Sequence, residues 1–118
     1  MYTIKLKIGG IDKEFTKEYI NVEDNLLATE QNVRQSALIH DPKKADDPKE
    51  NRKLNEAYLK MFVDMFGGQF KVEDLKQADI TILKTLEKIY LAALGIKEEV
   101  IEDLEGEDEK RDKPRRSA

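Results

Sequence analysis

The strongest constraint on the fold of this chain is the helical periodicity of residues 54–66. Their apolar side chains fall three and four positions apart, as on one face of an α-helix; they are Leu54, Ala57, Tyr58, Met61, Phe62, Met65 and Phe66. Upstream, Asp47 can cap the helix, Pro48 suits its first position, and Glu50 stands where a capping box places its acid. Gly67 follows at once and ends the helix, because glycine readily adopts the left-handed conformation.

The N-terminus has a different pattern, because apolar residues there occupy every second position: Tyr2, Ile4, Leu6 and Ile8. Such alternation is typical of a half-buried strand. Gly9-Gly10 marks a turn, and a weaker alternation then continues to Lys17. The pattern predicts a β-hairpin that rests on the rest of the domain, because an isolated hairpin is marginally stable in water.

Helical spacing also appears between Asn21, a good N-cap residue, and about Ile39. The apolar stripe of this helix consists of Val22, Leu26, Val33 and Ala37, with Leu27 and Leu38 beside it. In an amphipathic helix of a globular domain, such a stripe is the face expected to pack on the core.

Two more helices are predicted before residue 96. Phe70 and Leu75 are placed for a hydrophobic staple around a short helix that begins near Val72. Asp79 is the predicted cap of the last long helix, which Gly95 ends. The apolar face of that helix is expected to be Ile82, Leu83, Leu86, Ile89, Tyr90, Ala93 and Leu94.

The predicted fold class is α+β and mostly α, with a short N-terminal β-hairpin followed by about four helices. Residues 1–96 form one domain in this interpretation. Residues 97–118 carry nine acidic and six basic side chains and few apolar ones. We expect this charged C-terminal tail to be disordered, because it cannot bury enough apolar surface to offset the entropy of ordering.

Composition narrows the function classes. The chain has a net charge of −4, which disfavours nucleic-acid binding, and it contains no cysteine for disulfides, thiolate metal sites or nucleophiles. No run approaches the roughly 18 apolar residues of a membrane span, and the N-terminus lacks the apolar segment of a signal peptide. The expectation is a cytoplasmic protein with no nucleic-acid or membrane partner.

Catalytic and metal-binding signatures are sparse. The single histidine, His40, is interpreted as a solvated loop residue, and the acidic pairs fit helix caps and solvated faces better than a calcium loop. Gly9-Gly10 and Gly67-Gly68 are too short for phosphate-binding loops. We therefore expect no catalysis, no cofactor and no metal, with a hydrolase using paired carboxylates as the last alternative.

Residues 61–70 contain three of the four phenylalanines and two of the three methionines of the chain. Methionine and phenylalanine form adaptable surfaces for partner helices, but they are also ordinary core residues. Both interpretations are left open by the sequence. If part of the segment is exposed, the predicted partner-binding residues are the Met/Phe group: Met61, Met65, Phe66 and Phe70.

The same region carries a recognisable motif, with its key positions at Val63-Asp64, Gln69-Phe70 and Glu73-Asp74-Leu75. The run from Leu59 to Leu75 resembles the tail assembly chaperones of long-tailed phages and prophages of Gram-positive bacteria. Two other parts of the chain are similar to the corresponding parts of that family. They are the opening hairpin, with Gly9-Gly10 and Phe15, and the first helix, with Arg34 and Ala37-Leu38. The chain departs from the family pattern at two places. The family usually has threonine or serine where Lys71 stands, and it often has Gly-Leu where Ala78-Asp79 stand.

The resemblance implies a chaperone that coats the helical tape-measure protein in the host bacterial cytoplasm until tail-tube subunits polymerise around it. Such a protein is not expected in the finished particle, and family members are often also made in a longer, frameshifted form. The alternatives are another phage structural or adaptor protein, such as a head–tail component, or a small DNA-binding regulator. The sequence leaves the oligomeric state open, self-association included.

Overall fold

The computed structural model describes residues 1–96 and begins with the predicted hairpin. Strands β1 (Tyr2–Ile8) and β2 (Ile11–Lys17) pair antiparallel, with Ile8 opposite Ile11. Gly9 and Gly10 form the two-residue turn with φ of 60° and 79°. Two consecutive positive φ values match the twist of the hairpin, which is why two glycines stand there.

Four helices follow in the described residues: α1 (Val22–Ile39), α2 (Pro48–Met65), α3 (Val72–Lys76) and α4 (Ile82–Ala93). The fold class is therefore α+β, mostly α, as the sequence predicts. The predicted disordered tail at 97–118 lies outside the described residues.

Asp47 and Gly67 stand at the two ends of α2 as the sequence indicates, but the predicted capping box does not form, and Glu50 instead lies 3.8 Å from the Lys53 ammonium. The Asp47 carboxylate accepts a hydrogen bond of 2.9 Å from the backbone N–H of Lys49, which caps the first turn. At the other end Gly67 has φ of 66°, and the Gly68 N–H donates to the carbonyl of Val63 at 2.9 Å. This is a Schellman ending, and it satisfies carbonyls that the helix leaves without partners.

Phe70 and Leu75, the two residues of the predicted hydrophobic staple around α3, are both buried in the same core cluster. The start of α4, however, differs from the prediction. Asp79 does not cap the helix; its carboxylate accepts from the Thr81 N–H at 3.0 Å and shapes a tight turn, and α4 begins at Ile82. Aspartate and threonine side chains can hydrogen-bond nearby backbone groups at turns in place of the helical bonds, so the helix begins a few residues later.

The core lies between the inner face of the hairpin and the helices. Ile4 and Leu6 of β1 belong to the same core cluster as Phe62 of α2, which is fully buried, and strand β1 contacts α3 and α4. The Phe15 ring meets the Phe70 ring edge-on, with centroids 5.1 Å apart, so the hairpin rests on the α2–α3 corner. Most of the predicted α4 face is buried too, but Leu83 is 46% exposed.

Candidate functional site

The Met/Phe group does not form a surface. Each of its four residues is 3% exposed, and all belong to the buried core. Because none of Met61, Met65, Phe66 and Phe70 is exposed, the condition on which they were predicted to bind a partner is not met, and the core interpretation is confirmed. The reason is that the segment is covered from more than one side, since the hairpin reaches Phe70 through Phe15 and α3 packs back against α2.

An exposed apolar surface lies instead on α1. We define the α1 stripe as Val22, Leu26, Thr29, Val33 and Ala37, all of them exposed. At 3.6 residues per turn these five positions fall within an arc of about 80° of the helix. Val22 is 76% exposed, Leu26 49% and Val33 67%. The Thr29 hydroxyl donates to the Leu26 carbonyl at 3.0 Å, so this polar group has its hydrogen-bond partner within α1.

Val22, Leu26, Val33 and Ala37 were predicted to be the core face of α1, and the structure instead exposes all four. The residues of α1 that are buried are Asp24, Ala28 and Gln31, which lie about 180° around the helix from the stripe. Leu27 and Leu38, beside the buried face, are only partly buried. The helix thus presents its most continuous apolar face to solvent and its polar face to the core.

Asp24 anchors the N-terminal end of α1. Its carboxylate is 3.0 Å from the Lys17 ammonium at the end of β2 and accepts from the Asn21 N–H at 2.9 Å. Asp24 is 2% exposed, and the Lys17 side chain is 16% exposed. A buried carboxylate is tolerated only when it is paired and hydrogen-bonded, and both conditions are met here.

Gln31 anchors the middle of the helix. Its amide donates to the carbonyl of Leu54 in α2 at 3.2 Å and its amide oxygen accepts from Arg34 at 3.1 Å. Every buried side-chain nitrogen and oxygen in the described part of the chain likewise has a hydrogen-bond partner. The polar face of α1 is therefore buried without the penalty of unsatisfied groups.

Two further bonds tie α1 to α4. The Asn25 amide donates to the Ala93 carbonyl at 2.8 Å, and the Tyr90 hydroxyl donates to Gln35 at 3.4 Å. With the bonds to β2 and α2, these contacts fix the rotation of α1 about its own axis. Isolated apolar side chains on a surface are ordinary; an aligned row on a helix held in one orientation is a candidate for binding another protein.

The titratable groups with shifted pKa values have structural explanations. Burial raises the pKa of the Tyr58 hydroxyl, and the charge of Glu87 raises it further. The hydrogen bond from Lys76, at 2.8 Å, lowers the pKa of the Glu56 carboxyl. The rings of Tyr58 and Tyr90 pack edge-on in the core. The hydrogen bonds that the Thr81 hydroxyl and N–H donate lower the pKa of the Asp79 carboxyl. Each shift therefore belongs to packing, to a surface ion pair or to a turn.

The histidine and the acidic residues considered for catalysis or metal binding do not come together in one site among residues 1–96. His40 follows α1, and its Nδ1 lies 2.7 Å from the Ser36 carbonyl oxygen. Among residues 1–96, no three histidine, cysteine, aspartate or glutamate residues are grouped so that they could hold a metal ion.

Helices of the described region lack the combination of length and apolar character that a membrane span requires. Comparisons with protein-family models, with curated proteins and with solved structures give no match to this chain.

Proposed function

We propose that this chain is a non-catalytic assembly chaperone that binds a helical, apolar partner on the α1 stripe. The observation that carries the proposal is the outward orientation of the stripe, with Val22 and Val33 among the most exposed apolar residues of the chain. By the resemblance of residues 59–75 to tail assembly chaperones, the partner is the tape-measure protein of a long-tailed phage or prophage, in the host cytoplasm.

The chemistry of the stripe suits such a partner. A tape-measure helix that awaits its tail tube exposes apolar side chains at helical spacing. The stripe positions 22, 26, 29, 33 and 37, four of them apolar and one a threonine, have the spacing of four and three with which two helices pack along each other. Glu23, Glu30 and Arg34 flank the stripe and leave that flank net acidic, so a partner helix with lysine or arginine beside its apolar residues is favoured over one with acidic flanks.

The resemblance and the stripe have different roles in this proposal. The residues of the motif build the α2–α3 corner: Gln69 donates to the Phe66 carbonyl at 2.9 Å, and Asp74 accepts from the Lys71 N–H at 2.8 Å. The motif thus supports the fold, while α1 provides the binding face. A charged body around one apolar face keeps a complex in solution through its net charge.

Co-expression with the large coiled-coil protein encoded downstream tests the proposal. The wild-type chain should render that protein soluble and co-purify with it at many copies per partner molecule. Val33→Asp should abolish co-purification, because it places a charge in the centre of the apolar contact. Ile80→Asp is the matched control, since Ile80 is 75% exposed but lies outside the stripe, and it should bind as the wild type does.

Two results would contradict the proposal at different levels. If the partner remains insoluble with the wild-type chain, the chaperone function is wrong. If Val33→Asp captures the partner as well as the wild type does, binding occurs elsewhere than on the stripe. Detection of the chain in purified virions would favour the head–tail component instead.

A further inference from the structure

We propose that, in the absence of a partner, the α1 stripe pairs with the α1 stripe of a second copy of this chain in an antiparallel, two-fold symmetric homodimer. This inference concerns the protein alone and does not rest on the proposed function. It follows from the self-complementarity of α1 in shape and in charge.

The apolar pattern matches its own reverse. When Leu26 lies opposite Val33 of the second copy, Val22 falls opposite Ala37 of that copy, and the two-fold axis passes beside Thr29. Every apolar residue of the stripe then meets an apolar residue, and the wider side chains face narrower ones. The stripe extends over 16 of the 18 residues of α1, from 22 to 37, so this register overlaps the helices along almost their full length.

The charges beside the stripe select the antiparallel arrangement. Glu23, Glu30 and Arg34 lie on one flank, whereas the other flank carries the neutral residues Asn32 and Ser36. In an antiparallel two-fold pair, like flanks meet, so Glu23 faces Arg34 of the second copy, and this contact occurs twice. The two Glu30 carboxylates approach the axis, but each is already 3.7 Å from Arg34 of its own helix.

A parallel pair lacks this complementarity. Its two-fold axis runs along the helices and sets the charged flank of one copy against the neutral flank of the other, so no ion pair forms. It also sets the two helix dipoles side by side in the same direction, which is unfavourable. In the antiparallel pair the two dipoles point in opposite directions, which is favourable. Charge and dipole therefore favour the antiparallel arrangement.

The dimer is expected to be weak and dissociable. Stable interfaces bury about 800 Å² on each partner, and one helix face supplies less. Because bonds to β2, α2 and α4 hold α1 in place, little ordering is needed on association. A dissociation constant of roughly 100 μM is the expected scale for such a contact.

Disulfide cross-linking tests the register directly, because the chain has no cysteine of its own. Thr29→Cys should form a disulfide-linked dimer with itself. Val22→Cys and Ala37→Cys should each fail to do so, because in this register each is about 22 Å along the axis from its own equivalent. A mixture of the two variants should cross-link. The control is Lys53→Cys. The Lys53 side chain lies on α2 and is 74% exposed, and the variant should remain monomeric.

Sedimentation equilibrium gives the independent measurement. Val33→Asp should weaken dimerisation at least tenfold, whereas Ile80→Asp should leave it unchanged. Glu23→Arg should weaken it by about tenfold, because two ion pairs become repulsive contacts, and adding Arg34→Glu should restore it. Restoration by the second change is a result that loss of folding cannot produce.

Each contrary result would overturn the proposal. A wild-type chain that stays monomeric up to about 1 mM excludes the dimer, whether the stripe is then open or covered by residues 97–118. Self-cross-linking of Val22→Cys, or equal cross-linking of Lys53→Cys, excludes the antiparallel register. These assays use the purified chain alone, so their failure is separate from a failure to capture the tape-measure protein.

Discussion

Replacing Asp24 with alanine tests whether polar contacts, rather than apolar packing, orient α1. The substitution removes the ion pair with Lys17 at 3.0 Å and the bond from the Asn21 N–H at 2.9 Å. It also leaves the Lys17 ammonium, whose side chain is 16% exposed, without its carboxylate.

The structure sets the expected magnitude. A hydrogen bond to a charged group contributes roughly 1.5–3 kcal/mol, and a helix-capping bond contributes about 1 kcal/mol. Because Lys17 retains some access to water, we expect the lower part of the range that broken buried pairs show. The free energy of unfolding should fall by about 3 kcal/mol, which lowers the melting temperature by roughly 15 °C in a domain of this size.

Urea unfolding followed by far-ultraviolet circular dichroism measures the change. Glu14→Ala is the matched control, because it breaks the Lys5–Glu14 pair, whose side chains are 76% and 62% exposed. Exposed pairs contribute little, so this control should lose no more than about 0.5 kcal/mol. An Asp24→Ala protein that unfolds within about 0.5 kcal/mol of the wild type would refute the reasoning, because the polar face of α1 would then not be anchored.

Three further predictions follow from the fold and the two proposals. Met65→Asp combined with Phe70→Asp should abolish the cooperative thermal transition, because both residues are 3% exposed and each change buries a charge. A double variant that still unfolds cooperatively would contradict the burial of these residues. Gly67→Ala should lower the free energy of unfolding by about 1 kcal/mol, because its φ of 66° disfavours a side chain, and an unchanged urea midpoint would contradict this. The oxidised Thr29→Cys dimer should fail to capture the tape-measure protein until it is reduced, and capture by the oxidised form would show that dimer and partner use different faces.

Sequence reasoning succeeded where the determining signals are local. The hairpin follows from alternation around Gly9-Gly10, and α2 follows from its cap, its apolar spacing and Gly67. Each of these features depends on residues within a few positions of one another. The delayed start of α4 is the local exception, because Asp79 could cap either a turn or a helix and the competition is not visible in the spacing.

The orientation of α1 could not be predicted in the same way. Its anchors are Lys17, the carbonyl of Leu54 and the carbonyl of Ala93, of which the last is 68 positions from its donor Asn25. A local pattern shows an apolar stripe but not the distant partners that make the opposite face stable when buried.

One sequence signal could have indicated the reversal. The face of α1 opposite the stripe carries Asp24, Ala28, Gln31 and Gln35, without a lysine or a glutamate. In a chain with 39% charged residues, a solvated helix face is expected to be rich in lysine and glutamate. Amides in their place favour a face that makes specific hydrogen bonds.

The burial of the Met/Phe group could not be decided from the sequence, for a different reason. Apolar residues on more than one face of a helix indicate either exposure or burial on several sides, and only the tertiary structure distinguishes them. Here Phe15 reaches Phe70 from the hairpin, and the Phe66 and Phe70 rings pack with centroids 5.5 Å apart. The long-range contact with Phe15 is one of those that cover Phe70.

Thiol labelling of Val33→Cys, with and without the tape-measure protein, tests the role of the α1 stripe most directly. At protein concentrations well below that of dimer formation, the cysteine should react quickly, because Val33 is 67% exposed. In the co-purified complex its labelling rate should fall at least tenfold, while Ile80→Cys keeps its rate. Equal labelling of Val33→Cys in the free chain and in the complex would contradict the account, because the partner would then leave the stripe uncovered.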